Sequence, residues 1–250
     1  MEVADLTSGG APLLGEPLPI ELGNTAYAVR GHPREGLETV EHLAAWLRDV
    51  RPRLAIPLTD ADLLGVTPDD LRLALESREA IRRLAAGAAS GRGPAPDAVA
   101  TLNHHARHTP RWHELRLAQQ DTPHPAEQLR DSTHQPVDAH EDSTHQQVDA
   151  HEDGTDRPDG PGEDSADRPA GQAEPQVVVC TAGRPVAAVL AAIAEDAIIL
   201  FGGPSRHKVH ACQGPGCRLH FVRETRREWC SGGCGNRARA ARHYAKVRHL

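Results

Sequence analysis

Apolar residues recur at helical spacing in three stretches of the first 110 positions. Leu37, Val40, Leu43, Ala44 and Leu47 predict an amphipathic helix within 36–50. A second helix is predicted from Pro68. Thr67 can cap it, Pro68 suits the first helical position, and Asp69 and Asp70 sit at the positive end of its dipole. Leu71, Leu75, Arg78, Ile81 and Leu84 carry the pattern on to the glycine-rich stretch 87–93. A third helix follows Pro96 and runs through Val99 and Leu102 to about His108, and 59–64 predicts a short helical turn. The run PIELGNTAYAV at 19–29 alternates only loosely, which leaves strand and helix start both open. WHELRL at 112–117 alternates as a short strand, 177–180 is β-like, and 185–200 reads as an Ala-rich, largely buried helix. The pattern predicts an α+β, predominantly helical N-terminal domain built from 1–119 together with 177–205.

Between those parts the apolar pattern disappears. DSTHQPVDAHE at 131–141 returns as DSTHQQVDAHE at 142–152, with looser copies at 153–163 and 164–174. An 11-residue period can mark a coiled coil, but each unit offers at most one Val beside Pro, Gly and Asp, so there is no seam to bury. The segment 120–176 is therefore expected to be a disordered repeat linker, and its histidines are read as solvated residues copied with their repeat.

The formal charge of −7 hides a division along the chain. Residues 121–176 hold three Lys/Arg against fifteen Asp/Glu, whereas 203–250 hold eleven against two. A basic end tied to an acidic spacer suggests a polyanion-binding tail, and leaves open that the spacer folds back as an internal mimic of DNA. No run reaches the roughly 18–20 uninterrupted apolar residues of a bilayer span, and no secretory pattern opens the sequence. A cytoplasmic protein without a membrane partner is expected. Four of the five cysteines crowd into the C-terminal part, which favours a metal site in a reducing compartment over a disulfide framework.

The spacing is Cys212, four residues, Cys217, twelve residues, Cys230, three residues, Cys234. Two close pairs of thiolates satisfy the tetrahedral preference of Zn2+ and leave no open coordination position, the hallmark of a structural site holding one ion. Gln213, Gly214, Pro215 and Gly216 suit a tight knuckle turn, Leu219, Phe221 and Val222 open a strand, and Trp229 is expected to pack over the site. His207, His210 and His220 stand near enough in sequence to replace a cysteine, while Cys180 is read as a buried small hydrophobe. In so small a segment burial alone cannot hold the fold, and zinc contributes on the order of 10 kcal/mol.

After Cys234 comes GNRARAARHYAKVRHL, free of acidic residues and of proline. Its alanines favour a helix that spreads Arg237, Arg239, Arg242, Lys246 and Arg248 around its circumference. With Arg223, Arg226 and Arg227 these form a patch suited to phosphate, to which His243 and Tyr244 add stacking groups.

The run WCSGGCGNR at 229–237 resembles the signature of the CGNR zinc-finger family, bacterial proteins described as stress-induced transcription regulators. PIELGNT at 19–25, the helix around Leu43 and Leu47 with Trp46, and the pair Leu102 and Asn103 resemble the ABATE-type domain that accompanies it. The resemblance implies that Cys212, Cys217, Cys230 and Cys234 are the zinc ligands of a small treble-clef-like module over 206–250, with Asn236 and Arg237 in the named motif. The segment 218–229 is shorter than the family's hairpin and lacks its Ser-Arg-Asn turn, and 231–233 is a compact glycine-rich substitute. A transcription regulator on double-stranded DNA is the function expected, its N-terminal domain sensing a small-molecule effector or forming a homodimer. The alternative is a zinc-dependent adaptor for protein or RNA. An enzyme is not expected, since no phosphate loop precedes a helix and no Ser/His/Asp or paired-carboxylate set stands out.

Overall fold

The computed structural model describes residues 11–117, 175–224 and 226–247. Two compact units are present, Met1–Glu114 with Val178–Leu250, and Leu115–Val177. Of the second unit only the ends of two strands are described. The linker expected over 120–176 lies outside the described residues, apart from Pro175 and Gln176, which open a strand.

The loosely alternating stretch 19–29 takes both of its options, α1 (Leu18–Gly23) and then β1 (Ala26–Val29). β1 pairs antiparallel with β2 (His32–Glu35) so that Val29 faces His32. Arg30 and Gly31 are then a two-residue turn with φ of 52° and 84°, both in the left-handed region that such hairpins require. α2 (Val40–Val50) begins later than its apolar spacing suggests, because the Thr39 hydroxyl accepts from the His42 N–H while Leu37 enters the core ahead of the helix.

α3 (Asp60–Leu64) and α4 (Pro68–Ala89) both start at capping boxes, Thr59 with Asp62 and Thr67 with Asp70. The buried stripe of α4 is Leu73, Ala74, Ser77, Ala80, Ile81 and Leu84, a rotation that leaves Leu71 and Leu75 half-buried. α5 (Pro96–Ala106) packs Ala98 and Leu102 against it. Between these two helices the Ser77 hydroxyl lies 2.7 Å from His105 Nδ1, and His105 Nε2 lies 3.1 Å from Glu76. Ser77 and His105 are buried and Glu76 is partly exposed, so the set is a polar staple between the two helices.

β3 (Arg111–Leu117) pairs with β4 (Pro175–Thr181). Cys180 on β4 is half-buried, more open than expected. α6 (Pro185–Gly202) returns the chain to the core as predicted. It is apolar and long enough by composition to cross a membrane, but Glu195 and Asp196 interrupt its apolar run and half of it is buried, packed against α4 and α5. Its start is clamped to α4, since Arg184 reaches Asp70 at 2.7 Å, Thr67 Oγ1 at 3.0 Å and the Gly65 carbonyl at 2.6 Å. That clamp neutralises a buried carboxylate and fixes two helix starts at once.

The C-terminal segment adds β5 (Val209–Ala211), antiparallel to β6 (His220–Val222), and α7 (Gly232–Val247). The sequence reading sets 206–250 apart as its own module. The structure places it in the same compact unit as the N-terminal helices, with β5 against α4 and β6 against α1. Two buried polar residues make that joint. The Asn24 amide donates to the His220 carbonyl and accepts from the His220 N–H, both at 2.9 Å. Glu16, almost wholly buried, accepts from the Val222 N–H at 2.8 Å and pairs with Arg227.

Candidate metal centre and nucleic-acid interface

Each cysteine is positioned by a local device. Cys212 ends the β5 hairpin, its N–H bonded to the Leu219 carbonyl at 2.9 Å, and the Cys217 N–H bonds back to Gly214 at 3.0 Å to close the knuckle. The knuckle needs its glycines. Gly216 has φ of 70°, and a Cβ on Gly214 would stand 2.9 Å from Cys234 Cβ. Ser231 caps α7 by accepting from the Cys234 N–H at 3.3 Å, which places Cys234 in the first turn of the helix and Cys230 just before it. The compact 231–233 spacer thus aims both of its flanking cysteines at the knuckle.

The four sulfur atoms lie within 4.8 Å of one another. Two of the edges are 3.8 Å, Cys217 to Cys230, and 3.4 Å, Cys230 to Cys234. A tetrahedron with Zn–S bonds of about 2.3 Å has edges of about 3.8 Å, whereas a disulfide needs about 2.05 Å. None of the four is in a disulfide.

The donor set fits a soft divalent cation. Cys212 Sγ accepts from the backbone N–H of Gly214 at 3.4 Å and of Cys230 at 3.3 Å, and Cys234 Sγ accepts from the Arg237 guanidinium at 2.9 Å. Such donors favour thiolates and orient the lone pairs that remain. Hydrogen bonding to Cys217 and then Cys230 pushes the Cys212 thiol down to about 6, and hydrogen bonding to Cys212 and its neighbours lowers Cys234 as well. Cys217 and Cys230 are raised, first by their bonds to Cys212. Four thiols this close share protons until a cation replaces them.

A small apolar shell surrounds the sulfurs. Phe221, Leu219 and the half-buried Trp229 come from the C-terminal segment, and Ala11, Leu14, Tyr27 and Val29 from the N-terminal one. The contribution from β1 was not legible beforehand, although Asn24 in the LGNT run was a signal. Among the described residues no other cluster of His, Cys, Asp and Glu is close enough to hold a metal, and His207, His210 and His220 are not part of this one. His220 is instead buried under the joint, and burial followed by the nearby Arg82 charge pushes its pKa down to about 4.

The basic residues divide into distinct settings. Arg227 is turned inward, bonded to Glu16 and to the Val222 carbonyl and lying over the Phe221 ring, while Arg223 and Arg226 are exposed. On α7, Asn236, Arg237, Arg239, Arg242 and Lys246 are all exposed, and Ala238 is the last buried residue. Beyond it every described position of the helix faces solvent, including Tyr244. Arg239 and Arg242 each hold a guanidinium 5.9 Å from the Trp229 ring, and a Cβ on Gly235 would come 3.1 Å from the same ring. Trp229 thereby ties the metal centre to the cationic face of α7. Arg248 lies outside the described residues.

A search of curated proteins returns no match. Two families match the sequence. One, the CGNR zinc finger, covers residues 208–247, and with the four close cysteines it supports zinc binding at this centre. The other, ABATE, covers residues 16–204, most of the chain, so the protein belongs to the ABATE family, whose description is "Putative stress-induced transcription regulator".

Proposed function

We propose that this protein is a DNA-binding transcription regulator whose C-terminal helix docks on duplex DNA. One Zn2+ held by Cys212, Cys217, Cys230 and Cys234 acts as a structural cross-link, joining the knuckle to the first turn of α7. The cysteines come from a hairpin knuckle and a helix N-terminus, which favours a treble-clef arrangement for 206–250. The ion supplies no reaction chemistry, and its four thiolates leave it no open position.

The observation that carries the reading is that α7 leaves the metal centre exposed on all sides beyond Ala238, with Arg239, Arg242 and Lys246 on it and no acidic residue. An amphipathic helix with a buried stripe would read as core packing. A cationic helix without one is built to meet a polyanion, and phosphate contacts supply most of the affinity in such docking. The N-terminal domain then senses a small molecule or dimerises, and the protein works in the cytoplasm without catalytic activity.

The test is selection of bound sequences from a random duplex pool with the zinc-loaded protein, beside an EDTA-treated control. Enrichment that vanishes on chelation supports the reading. Equal, weak retention of all duplexes in both samples removes it. Zinc measured by atomic absorption on the same material, at one equivalent per chain, checks the stoichiometry.

A further inference from the structure

We infer that Arg30, at the tip of the β1–β2 hairpin, and Arg237, at the start of α7, face a single cleft that takes one backbone phosphate of the bound nucleic acid. The contact joins the N-terminal domain to the zinc segment at the DNA surface. It deepens the regulator reading and rests on it.

The cleft has a volume of about 750 Å3; both arginines line it together with Tyr27 and Asn236, and so do three cysteines of the metal centre, Cys217, Cys230 and Cys234. No Asp or Glu is among its lining residues, although acidic residues outnumber basic ones in the chain as a whole. Apart from the cysteine sulfurs, the arginines and Asn236 are donors with capacity to spare. Arg237 commits one nitrogen to Cys234 Sγ and keeps its other N–H groups. Asn236 uses its carbonyl oxygen on Arg239, so its NH2 remains a donor, whereas Ser231 accepts from the Cys234 N–H and turns its O–H to the Cys234 sulfur. The positive end of the α7 dipole opens on the same side. A phosphate diester, with one negative charge and several acceptor oxygens, is the ligand this chemistry recognises.

Arg30 is held at the cleft by the backbone. It occupies a left-handed conformation in a two-residue turn, and Gly31 beside it is seated against the knuckle, where a Cβ on Gly216 would fall 2.9 Å from Gly31 Cα. A long charged side chain on a turn so fixed reaches one place with little loss of freedom. One competing role is evident. Zn2+ with four thiolates carries a net charge of −2, and Arg30 could serve that charge in place of DNA.

The experiment compares Arg30→Ala and Arg30→Lys with the unmodified chain and with Arg92→Ala, an exposed arginine on the loop after α4, on a duplex probe by fluorescence anisotropy across a salt series. Loss of one phosphate contact lowers affinity about eightfold at 0.1 M salt and flattens the slope of log K against log salt by about 0.9. That loss is expected for Arg30→Ala, with partial retention in Arg30→Lys, no change in Arg92→Ala and full zinc content throughout. An unchanged slope in Arg30→Ala overturns the inference while Arg239→Ala/Arg242→Ala still weakens binding, and the regulator reading then stands. Loss of zinc from Arg30→Ala with the slope unchanged also overturns it and assigns Arg30 to the tetrathiolate charge. If the unmodified chain shows no salt-dependent binding, the regulator reading itself fails.

Discussion

Asn24 and His220 exchange two hydrogen bonds of 2.9 Å across 196 residues of sequence, with a fully buried side-chain amide standing in for the edge of a strand. The pairing satisfies both main-chain groups of a residue in β6 and explains why an asparagine, and no other side chain of that size, belongs there. Aspartate keeps the acceptor but turns a second acceptor towards the His220 carbonyl. Asn24→Asp should therefore cost about 2–4 kcal/mol, seen as a lower urea midpoint at unchanged m value. A midpoint within error of the unmodified chain would show that the joint bears no load.

Gly214 and Gly232 flank the metal centre in opposite circumstances. A Cβ on Gly214 meets Cys234 Cβ at 2.9 Å and its Sγ at 3.2 Å, whereas a Cβ on Gly232 meets nothing within 4 Å. Gly214→Ala must push a ligand out of place, and zinc affinity should fall by about tenfold or more, comparable to losses on disturbing the surroundings of a metal ligand. Gly232→Ala, at the first position of α7, should leave affinity unchanged and stabilise the helix by up to about 1 kcal/mol. Competition with a chromophoric chelator separates the two, and equal behaviour would contradict the geometry.

Much of the helical frame and the ligand set was legible because each rests on local chemistry. Thr67, Pro68 and Asp70 start α4 by side-chain bonds within one turn, and the cysteine spacing speaks for itself. Less visible was whatever depends on partners far away in sequence. Charge counting placed Arg227 with the phosphate-binding residues, but its guanidinium lies on Glu16, a buried carboxylate from the other end of the chain. The hairpin carrying Arg30 is not legible in the sequence because β2, His-Pro-Arg-Glu, has an exposed polar face and no apolar alternation to announce a strand. The Ser77, His105 and Glu76 staple was likewise hidden, since two helices must pack before those groups meet.

Two buried histidines make stability sensitive to mild acid. Burial pushes His220 down to about 4 and lowers His105 as well, the latter against the opposing pull of Glu76. Unfolded, each titrates near 6.5, so between that value and the folded pKa the unfolded chain binds more protons and stability falls as pH falls. The contribution is complete above about pH 6.5, and for His220 its loss by pH 4 is on the order of 3 kcal/mol. His220→Gln should flatten the pH dependence of unfolding between pH 6.5 and 4 relative to the unmodified chain, with zinc in excess for both so that thiolate protonation contributes equally. Identical pH profiles would mean that His220 is hydrated in the folded protein.

Arg239, Arg242 and Lys246 separate docking from folding. The two arginines lie over Trp229, so their removal forfeits cation–π contacts worth about 1 kcal/mol in total at such exposed sites, and Lys246 is exposed. Replacing all three by alanine in an alanine-compatible helix should therefore shift the melting temperature by only a few degrees. Binding to duplex DNA should change far more, because three lost phosphate contacts reduce the salt slope by about 2.7 and affinity at 0.1 M salt by roughly 500-fold. A triple variant that retains the full salt slope would move the docking surface off α7. One that loses slope and fold together would make these residues part of the scaffold, with the exposed face of the helix left without a function.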